Sequence, residues 1–316
     1  MGKWLIDSHV HLCGGASKSS MDLTDRIKTR MDTFRLYSRY PELYQARLSE
    51  EPIDLTDAYI EDMDRHGISH AIIQQDIGKP TKDPVAAVVK KHPDRFFGLV
   101  DFLGWETEPI DRSPSNPPSE KEMASYRARA AEEVIRGVEQ YGLIGVGEFF
   151  ARRFTREVHP ENIVKDFKPL FDVLAKYKIP IQFMTGWTQF PHNLIYGNPL
   201  WIDEIAYSYP EVPIILTKMG RGTHYFDIAL FVALRNVNVY FDIVDTLPEH
   251  IRKAVDTIGA ERIMFGTDWC CTVRFVTEPE DNITKHKKLL DNAKLSSSER
   301  EQIEWKTAAE VFRLNL

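Results

Sequence analysis

The stretch Leu5-Ile6-Asp7-Ser8-His9-Val10-His11 decides between two architectures for this chain. It begins as an apolar run and ends in polar residues, as expected where a buried parallel strand reaches the edge of its sheet. An open doubly wound sheet would carry a glycine-rich phosphate-binding turn after such an early strand. This stretch contains no glycine. It therefore favours a barrel, in which functional side chains stand at the carboxyl ends of the strands.

Short apolar runs alternate with longer amphipathic stretches along the rest of the chain, which predicts alternating strands and helices. The predicted strands are Lys3–Asp7, Ser69–Gln75, Arg95–Phe102, Leu143–Phe149, Ile179–Phe183, Val212–Thr217, Val237–Ile243 and Arg262–Phe265. The predicted helices are Leu55–His66, Pro84–Lys91, Ser119–Gln140, Pro160–Lys178, Leu200–Tyr209, Gly222–Arg235, Pro248–Ile258, Asp281–Asn292 and Ser298–Leu314. Eight strands with helices between them predict an α/β fold, a (β/α)₈ TIM barrel forming a single domain over residues 1–316.

Two excursions, at about residues 13–50 and 104–118, depart from a minimal barrel. Each follows the carboxyl end of a predicted strand, so both are expected as loop insertions over the C-terminal mouth of the barrel. The second contains four prolines and fits a plain surface insert equally well.

The composition bears on the partners and the compartment. Forty basic and 47 acidic residues give a net charge of −7, which argues against a nucleic acid as the main partner. No apolar run approaches the roughly 20 residues of a membrane span, so no membrane partner is expected. Three cysteines, Cys13, Cys270 and Cys271, are too few for a disulfide framework and indicate a reducing, cytoplasmic compartment.

Two short motifs carry the chemistry. In His9-Val10-His11 the two histidines are two residues apart, so on a strand both imidazoles point to the same side and form half of a divalent-metal site. The alternative is a pair of hydrogen-bonded core histidines. Asp268, in Gly266-Thr267-Asp268-Trp269 after the last predicted strand, can bind the same metal and accept a proton from a metal-bound water. Its alternative role is a helix cap.

These motifs, together with Gly145-Val146-Gly147-Glu148 and the segment from Gly197 to Gly220, resemble the amidohydrolase superfamily. The closer resemblance is to its amidohydrolase-related branch, which includes aminocarboxymuconate-semialdehyde decarboxylase-like proteins. The resemblance implies one divalent metal, Zn²⁺ first and Mn²⁺ as the alternative, on His9, His11, Asp268 and a histidine ending the fifth strand. It also implies a further functional histidine ending the sixth strand, a small carboxylated substrate and a homodimer.

The sequence departs from that pattern at two positions. Met184 stands where the third imidazole is expected, and Lys218 stands where the sixth-strand histidine is expected. A thioether is a poor ligand for these ions, so Glu148 and water are expected to complete the metal site. Lys218 is predicted to be catalytic, either as a neutral base or as an ammonium that holds a substrate carboxylate or an oxyanion. Alternatively it pairs with Glu148 or Asp268 in a metal-free site.

Several residues near the predicted mouth are candidates for substrate binding. Arg221 and His224 would bind an anion, and the aromatic rings of Trp187 and Trp269 would suit a flat substrate. Asp242, which ends the seventh predicted strand, would add polarity to the pocket. The alternatives are loop anchoring for Arg221 and His224 and ordinary packing for the aromatic residues.

The leading functional prediction is hydrolysis of an amide, lactone or imine bond in a small carboxylated molecule, with Asp268 as general base toward a metal-activated water. The first alternative is non-oxidative decarboxylation of a small aromatic carboxylic acid. A metal-independent lactonase-type hydrolase that uses Lys218 is a further alternative. A catalytically degenerate binding barrel is the remaining one, since Met184 and Lys218 depart from the family pattern.

Overall fold

The structure, a computed structural model, describes residues 4–14, 53–74, 84–100, 119–151, 159–186, 193–222, 225–269 and 282–316. Nearly all of the predicted insertion 13–50 and the whole of 104–118 lie outside these residues, as do Trp187 and His224. On either side of the first insertion, Cys13–Gly14 and Ile53–Asp54 pair as a short antiparallel ladder.

All eight predicted barrel strands are present. They are β1 (Ile6–His11), β2 (His70–Gln74), β3 (Phe96–Gly98), β4 (Val146–Phe149), β5 (Ile181–Met184), β6 (Ile214–Thr217), β7 (Val239–Asp242) and β8 (Ile263–Met264). The first strand differs most from its prediction, Lys3–Asp7. It continues through His11 because Val10 and His11 pair in parallel with Ile73 and Gln74 of β2. Both imidazoles of the His-x-His motif therefore stand on the strand itself.

The strands follow one another in chain order around one interior. β1, β2 and β3 form one parallel sheet, and β8, β7, β6, β5 and β4 form another. Single parallel bridges join the two sheets at their seams, Val100 to Val146 and Val10 to Trp269. At the second seam Asp268 N also donates a hydrogen bond to His9 O at 2.8 Å. Few backbone hydrogen bonds between the described residues therefore join the two sheets at the seams. The order of the strands is that of a TIM barrel.

The helices lie between the strands in sequence. They are α1 (Thr56–His66), α2 (Pro84–Lys91), α3 (Glu120–Tyr141), α4 (Pro160–Tyr177), α5 (Asn193–Tyr196), α6 (Ile202–Ser208), α7 (Tyr225–Arg235), α8 (Pro248–Ile258), α9 (Asn282–Asn292), α10 (Ser297–Glu301) and α11 (Thr307–Val311). Local signals set their ends: Ser119 and Glu122 form a reciprocal capping box at the start of α3, and Gly142 ends that helix with a φ of 65°. Within the described residues no helix is both long and apolar enough to cross a membrane.

The last predicted helix, Ser298–Leu314, is divided in the structure. Between α10 and α11 the chain forms a π-helical segment, Gln302–Lys306. Within that segment the Ile303 carbonyl accepts a hydrogen bond from Phe265 N at 2.8 Å. This contact ties the segment to the end of β8, and the regular α-helical pattern is interrupted there.

The barrel interior changes from apolar to polar along the strands. At the amino-terminal end, side chains from several strands pack with α11 and the residue after it: Ile6, Ile72, Leu99, Ile215, Met264, Ala308, Val311 and Phe312. Toward the carboxyl ends the buried side chains are polar, as with Gln74, Gln182 and Thr217. The C-terminal helix therefore closes the bottom of the barrel, and the polar residues gather at the opposite end, where barrel enzymes bind their substrates.

Candidate active site

Five buried ionisable side chains converge at the carboxyl ends of the strands. β1 contributes two imidazoles, β4 a carboxylate, the turn after β6 an ammonium and the segment after β8 a second carboxylate: His9, His11, Glu148, Lys218 and Asp268. Every one of them is at most 4% exposed. The structure thus brings together the predicted metal ligands and the predicted catalytic residues, which lie far apart in sequence.

The two imidazoles and the Asp268 carboxylate form a compact triangle of donor atoms. His9 Nε2 lies 3.3 Å from His11 Nε2, and Asp268 Oδ1 lies 3.5 Å from the first nitrogen and 3.2 Å from the second. Ligands held at about 2.0–2.2 Å from one tetrahedral ion are roughly 3.3–3.6 Å apart. Nitrogen and carboxylate donors also suit Zn²⁺ and Mn²⁺. Position and chemistry of the three residues therefore fit a divalent ion.

Lys218 lies beside this triangle. Its Nζ is 2.8 Å from Glu148 Oε1 and 3.1 Å from Asp268 Oδ2. Glu148 Oε1 also accepts a hydrogen bond from Thr217 Oγ1 at 2.8 Å. Asp268 consequently faces two ways, with Oδ1 toward the imidazoles and Oδ2 toward the ammonium. Within the described residues, the ammonium has these two carboxylates as partners, which leaves its third N–H directed at no protein acceptor.

The charges in the cluster support one another. Burial and the Lys218 ammonium would lower the pKa of His9, but Glu148, Asp268 and Asp242 outweigh them and raise it to about 10. Burial would raise the pKa of Asp268, but Lys218 and the imidazoles hold it well below its usual range. Burial would lower the pKa of Lys218, and the two carboxylates raise it instead. The site thus keeps a charged lysine and charged carboxylates in a buried volume.

Asp242 lies behind His9, which corrects the prediction that it lines the pocket. Its Oδ2 is 2.7 Å from His9 Nδ1, and its Oδ1 accepts hydrogen bonds from Lys218 N at 2.6 Å and Val244 N at 3.1 Å. Asp242 is fully buried, and both of its carboxylate oxygens are hydrogen-bonded to protein groups. An acceptor at Nδ1 keeps a proton on that nitrogen, so Nε2 is the nitrogen that can give up its proton and offer a lone pair to a metal ion.

Asp7 is a buried carboxylate beside the site that was not among the predicted site residues. Its Oδ2 accepts hydrogen bonds from Tyr59 Oη at 2.8 Å and Thr267 Oγ1 at 2.6 Å, and its Oδ1 accepts one from Thr267 N at 3.0 Å. Burial raises the pKa of Asp7 to about 6 despite these donors. The carboxylate thereby fastens β1 to the residue before Asp268. The sequence did offer one signal for a buried carboxylate, namely a charged residue directly after the apolar pair Leu5-Ile6.

The backbone is strained at two of the site residues. Asp268 has a φ of 53° and Lys218 a φ of 68°, in the left-handed region that non-glycine residues enter at a cost of roughly 1–3 kcal/mol. Hydrogen bonds to neighbouring strands hold both residues: Asp268 N donates to His9 O and Lys218 N donates to Asp242. Such strain is concentrated at functional sites.

Two predicted substrate contacts have other surroundings. Trp269 was expected at the mouth, but it is 2% exposed, lies 4.8 Å from the Tyr59 ring and donates Nε1–H to Asp62 at 3.0 Å. These contacts place Trp269 in the core, the ordinary packing that was its alternative role. Arg221 is buried and its Nη2 lies 2.9 Å from Asp245 Oδ2, the loop-anchoring arrangement.

Met184 ends β5 and is buried, so that strand presents a thioether where the metal-binding pattern expects an imidazole. On the other side of the triangle, Gln74 Nε2 lies 3.4 Å from His11 Nε2. His9, His11 and Asp268 form the candidate metal-binding triad, and Glu148 Oε2 lies 3.9 Å from His11 Nε2.

The family model for amidohydrolases matches residues 6–314. The chain belongs to the amidohydrolase family. Gamma-resorcylate decarboxylase from Polaromonas sp. strain JS666 is 24% identical over 332 residues, covering 87% of this chain and 91% of the relative. Gamma-resorcylate decarboxylase from Rhodococcus jostii strain RHA1 is 21% identical over 338 residues, covering 87% of this chain and 92% of the relative.

Solved structures share the fold. Dihydroxybenzoic acid decarboxylase from Polaromonas sp. JS666, which holds manganese and the inhibitor 2-nitroresorcinol, superposes with a TM-score of 0.61. Its sequence identity is 19%, and the match covers 100% of this chain and 98% of that chain. This similarity confirms the predicted TIM-barrel fold of the amidohydrolase family.

Proposed function

We propose that this amidohydrolase-family protein is an enzyme that removes the carboxyl group from a small hydroxylated aromatic acid without oxidation. The observation that carries the proposal is the similarity to two gamma-resorcylate decarboxylases, each over 87% of the chain. It favours decarboxylation, the first alternative of the sequence analysis, over hydrolysis of an amide, lactone or imine. A homodimer and a single domain over residues 1–316 stay predictions.

His9, His11 and Asp268 would hold the divalent ion, and the manganese of the related decarboxylase supports Mn²⁺ beside the Zn²⁺ expected from the sequence. When bound, such an ion supplies positive charge that polarises a substrate carboxylate or phenolate. Asp242 would orient His9 for this task through the contact at Nδ1. Glu148 and Lys218 would form the opposite wall of the site.

Lys218 would hold the substrate carboxylate. Its Nζ is fixed by Glu148 and Asp268, and the third N–H remains for an acceptor on the substrate. A buried ammonium attracts an anion more strongly than a solvated one because the surrounding dielectric constant is low. This contact would turn the carboxyl-bearing carbon of the ring toward Asp268.

The reaction needs one proton and releases carbon dioxide. The Lys218 ammonium lies 3.1 Å from Asp268 Oδ2, so this carboxylate can relay a proton from the ammonium to the ring carbon that bears the substrate carboxylate as that carbon accepts it. The bond between that carbon and the carboxylate then breaks, its electron pair returns to the ring, and CO₂ leaves. Solvent returns a proton to Lys218, so the net change is replacement of the carboxylate by hydrogen.

Gamma-resorcylate, incubated with the manganese-loaded protein in D₂O, tests the proposal. Decarboxylation yields CO₂ and a resorcinol ring with deuterium at the carbon that carried the carboxylate, which gas analysis and proton NMR measure. A parallel incubation in H₂¹⁸O with lactone and amide probes tests hydrolysis. Incorporation of ¹⁸O into those probes, with no CO₂ from the aromatic acid, contradicts the proposal.

A further inference from the structure

The position of Lys218 puts a fixed positive charge at the edge of the metal-binding triangle. Lys218 is 2% exposed. Its ammonium lies against both carboxylates of the cluster, 2.8 Å from Glu148 Oε1 and 3.1 Å from Asp268 Oδ2. An ion pair of this kind, with little water around it, is weakly screened. Any cation that enters the triangle therefore meets a like charge nearby.

One carboxylate has to serve both cations. Asp268 Oδ1 forms one corner of the triangle, 3.2 Å from His11 Nε2, while Oδ2 lies 3.1 Å from Lys218 Nζ. A carboxylate whose negative charge is already partly offset by an ammonium is a weaker ligand for a second cation. The shared residue thus couples the binding of a metal ion to the presence of the lysine.

Glu148 shows the same competition. Its Oε1 is held by Lys218 and by Thr217 Oγ1, each at 2.8 Å. Its oxygens remain 3.8 Å from His9 Nε2 and 3.9 Å from His11 Nε2, farther than the edges of the triangle. The lysine therefore keeps Glu148 out of the donor set, although this carboxylate is the nearest candidate for a fourth ligand.

From these contacts we infer that Lys218 is a built-in cation that competes with the divalent metal for Asp268 and Glu148 and so lowers the metal affinity of the site. In the metal-free protein the same ammonium holds the two carboxylates together. The inference rests on the proposed metal centre of the decarboxylase. It differs from a purely structural ion pair, whose removal would destabilise the protein without tightening metal binding.

The test compares the wild-type protein with Lys218→Met, in which a side chain of similar length loses its charge. Isothermal titration of each chelator-treated protein with MnCl₂ measures the dissociation constant. Lys218→Met is expected to bind Mn²⁺ at least tenfold more tightly, because two carboxylates are released and one repulsion is removed. A tenfold change corresponds to about 1.4 kcal/mol. Equal or weaker binding by the variant overturns the inference.

Two controls locate the effect. Lys253→Met removes a lysine from a surface ion pair with Asp227 at 2.8 Å and is expected to leave the Mn²⁺ affinity within twofold of the wild type. His11→Gln removes one ligand and is expected to abolish the tight binding in the Lys218→Met background. Tight binding that survives His11→Gln lies elsewhere and also overturns the inference.

Removal of Lys218 leaves two buried carboxylates facing each other, so the variant can require metal to fold. A second measurement covers that case: both proteins are purified with Mn²⁺, and the EDTA concentration that removes half of the metal is measured. The variant is expected to need at least ten times more EDTA, and an equal requirement overturns the inference. If wild-type protein releases CO₂ from gamma-resorcylate while this difference is absent, the proposed function stands and the inference fails alone.

Discussion

Asp268 joins Lys218 to the two imidazoles of β1 through its two oxygens. Lys218 Nζ lies 3.1 Å from Oδ2, and His11 Nε2 lies 3.2 Å from Oδ1. One side chain thus links the cation proposed to hold the substrate to the candidate metal ligands. A change at Asp268 must affect both directly, whereas a change at Asp242 acts through His9 Nδ1 and the backbone N–H of Lys218.

Asp268→Asn is expected to reduce turnover of gamma-resorcylate by at least about a hundredfold, since the amide neither carries the proton nor balances Lys218. Initial rates of CO₂ release measure this. The matched control is Asp256→Asn, on the outer face of α8, where the carboxylate is 64% exposed and pairs with Arg252. This control is expected to keep its rate within twofold, and a full rate in Asp268→Asn would contradict the assigned role.

Asp242→Asn is expected to weaken Mn²⁺ binding by about tenfold to a hundredfold. The asparagine oxygen can still accept the backbone N–H of Lys218, but its amide group then faces His9 Nδ1. That nitrogen has to become an acceptor, the proton moves to Nε2, and the lone pair toward the metal is lost. Calorimetric titration with MnCl₂ checks this, with the exposed Asp227→Asn as control. Unchanged affinity would show that Asp242 does not set the tautomer of His9.

Thr267→Val is expected to lower the free energy of unfolding by about 1–3 kcal/mol at nearly constant volume. The hydroxyl donates to Asp7 Oδ2 at 2.6 Å and accepts a hydrogen bond from Trp269 N at 3.2 Å, and valine replaces neither. Urea unfolding followed by circular dichroism measures the loss. Thr257→Val, in which an exposed hydroxyl donates to Lys253 O at 2.6 Å, should change stability by less than about 0.5 kcal/mol.

The contribution of His286 to the stability of the protein is expected to fall as the pH falls from 6.5 toward about 4, opposite in sign to the contribution of Asp7, whose pKa burial raises to about 6. Burial lowers the pKa of this imidazole from 6.5 to about 4. Its Nε2 accepts the Asp245 N–H at 3.2 Å, and its Nδ1–H donates to Asn282 O at 2.7 Å. The unfolded chain binds the proton more tightly than the folded one across this window, so acid favours unfolding by up to about 3 kcal/mol.

Urea unfolding at several pH values between 4.5 and 7, with EDTA present, measures that dependence. The free energy of unfolding of the wild type minus that of His286→Gln is expected to decrease as the pH falls across this range, because the variant lacks the imidazole that titrates. His159→Gln, at an exposed position before α4, is expected to follow the wild-type curve. A His286→Gln curve parallel to the wild type would place the acid sensitivity elsewhere.

Much of the barrel and the centre of the site could be predicted from the sequence. Each buried strand is a short run of apolar residues, and such a run can be recognised from the sequence alone. His9 and His11 share a face because they are two residues apart on a strand. The contact of Lys218 with Glu148 and Asp268 was an alternative from the sequence, and the structure contains both halves of it.

The remainder depends on contacts that no local pattern encodes. Asp242 reaches His9 across 233 residues, so its role behind the imidazole becomes visible only when β7 and β1 are placed in the barrel. Trp269 was expected at the mouth because it follows the last strand, but its contacts with Tyr59 and Asp62 place it in the core, which was the alternative. The division of the last helix arises from the bond between Phe265 N and Ile303 O, which is likewise distant in sequence.

The seam between β1 and β8 has a consequence for biosynthesis. His9 is translated well before Asp268, and the donor triangle forms only when the segment after β8 lies against β1, where Asp268 N donates a hydrogen bond to His9 O. A nascent or C-terminally truncated chain presents two histidines without their carboxylate. An ion held by all three proposed ligands could therefore be acquired only after the strands β1 and β8 have met.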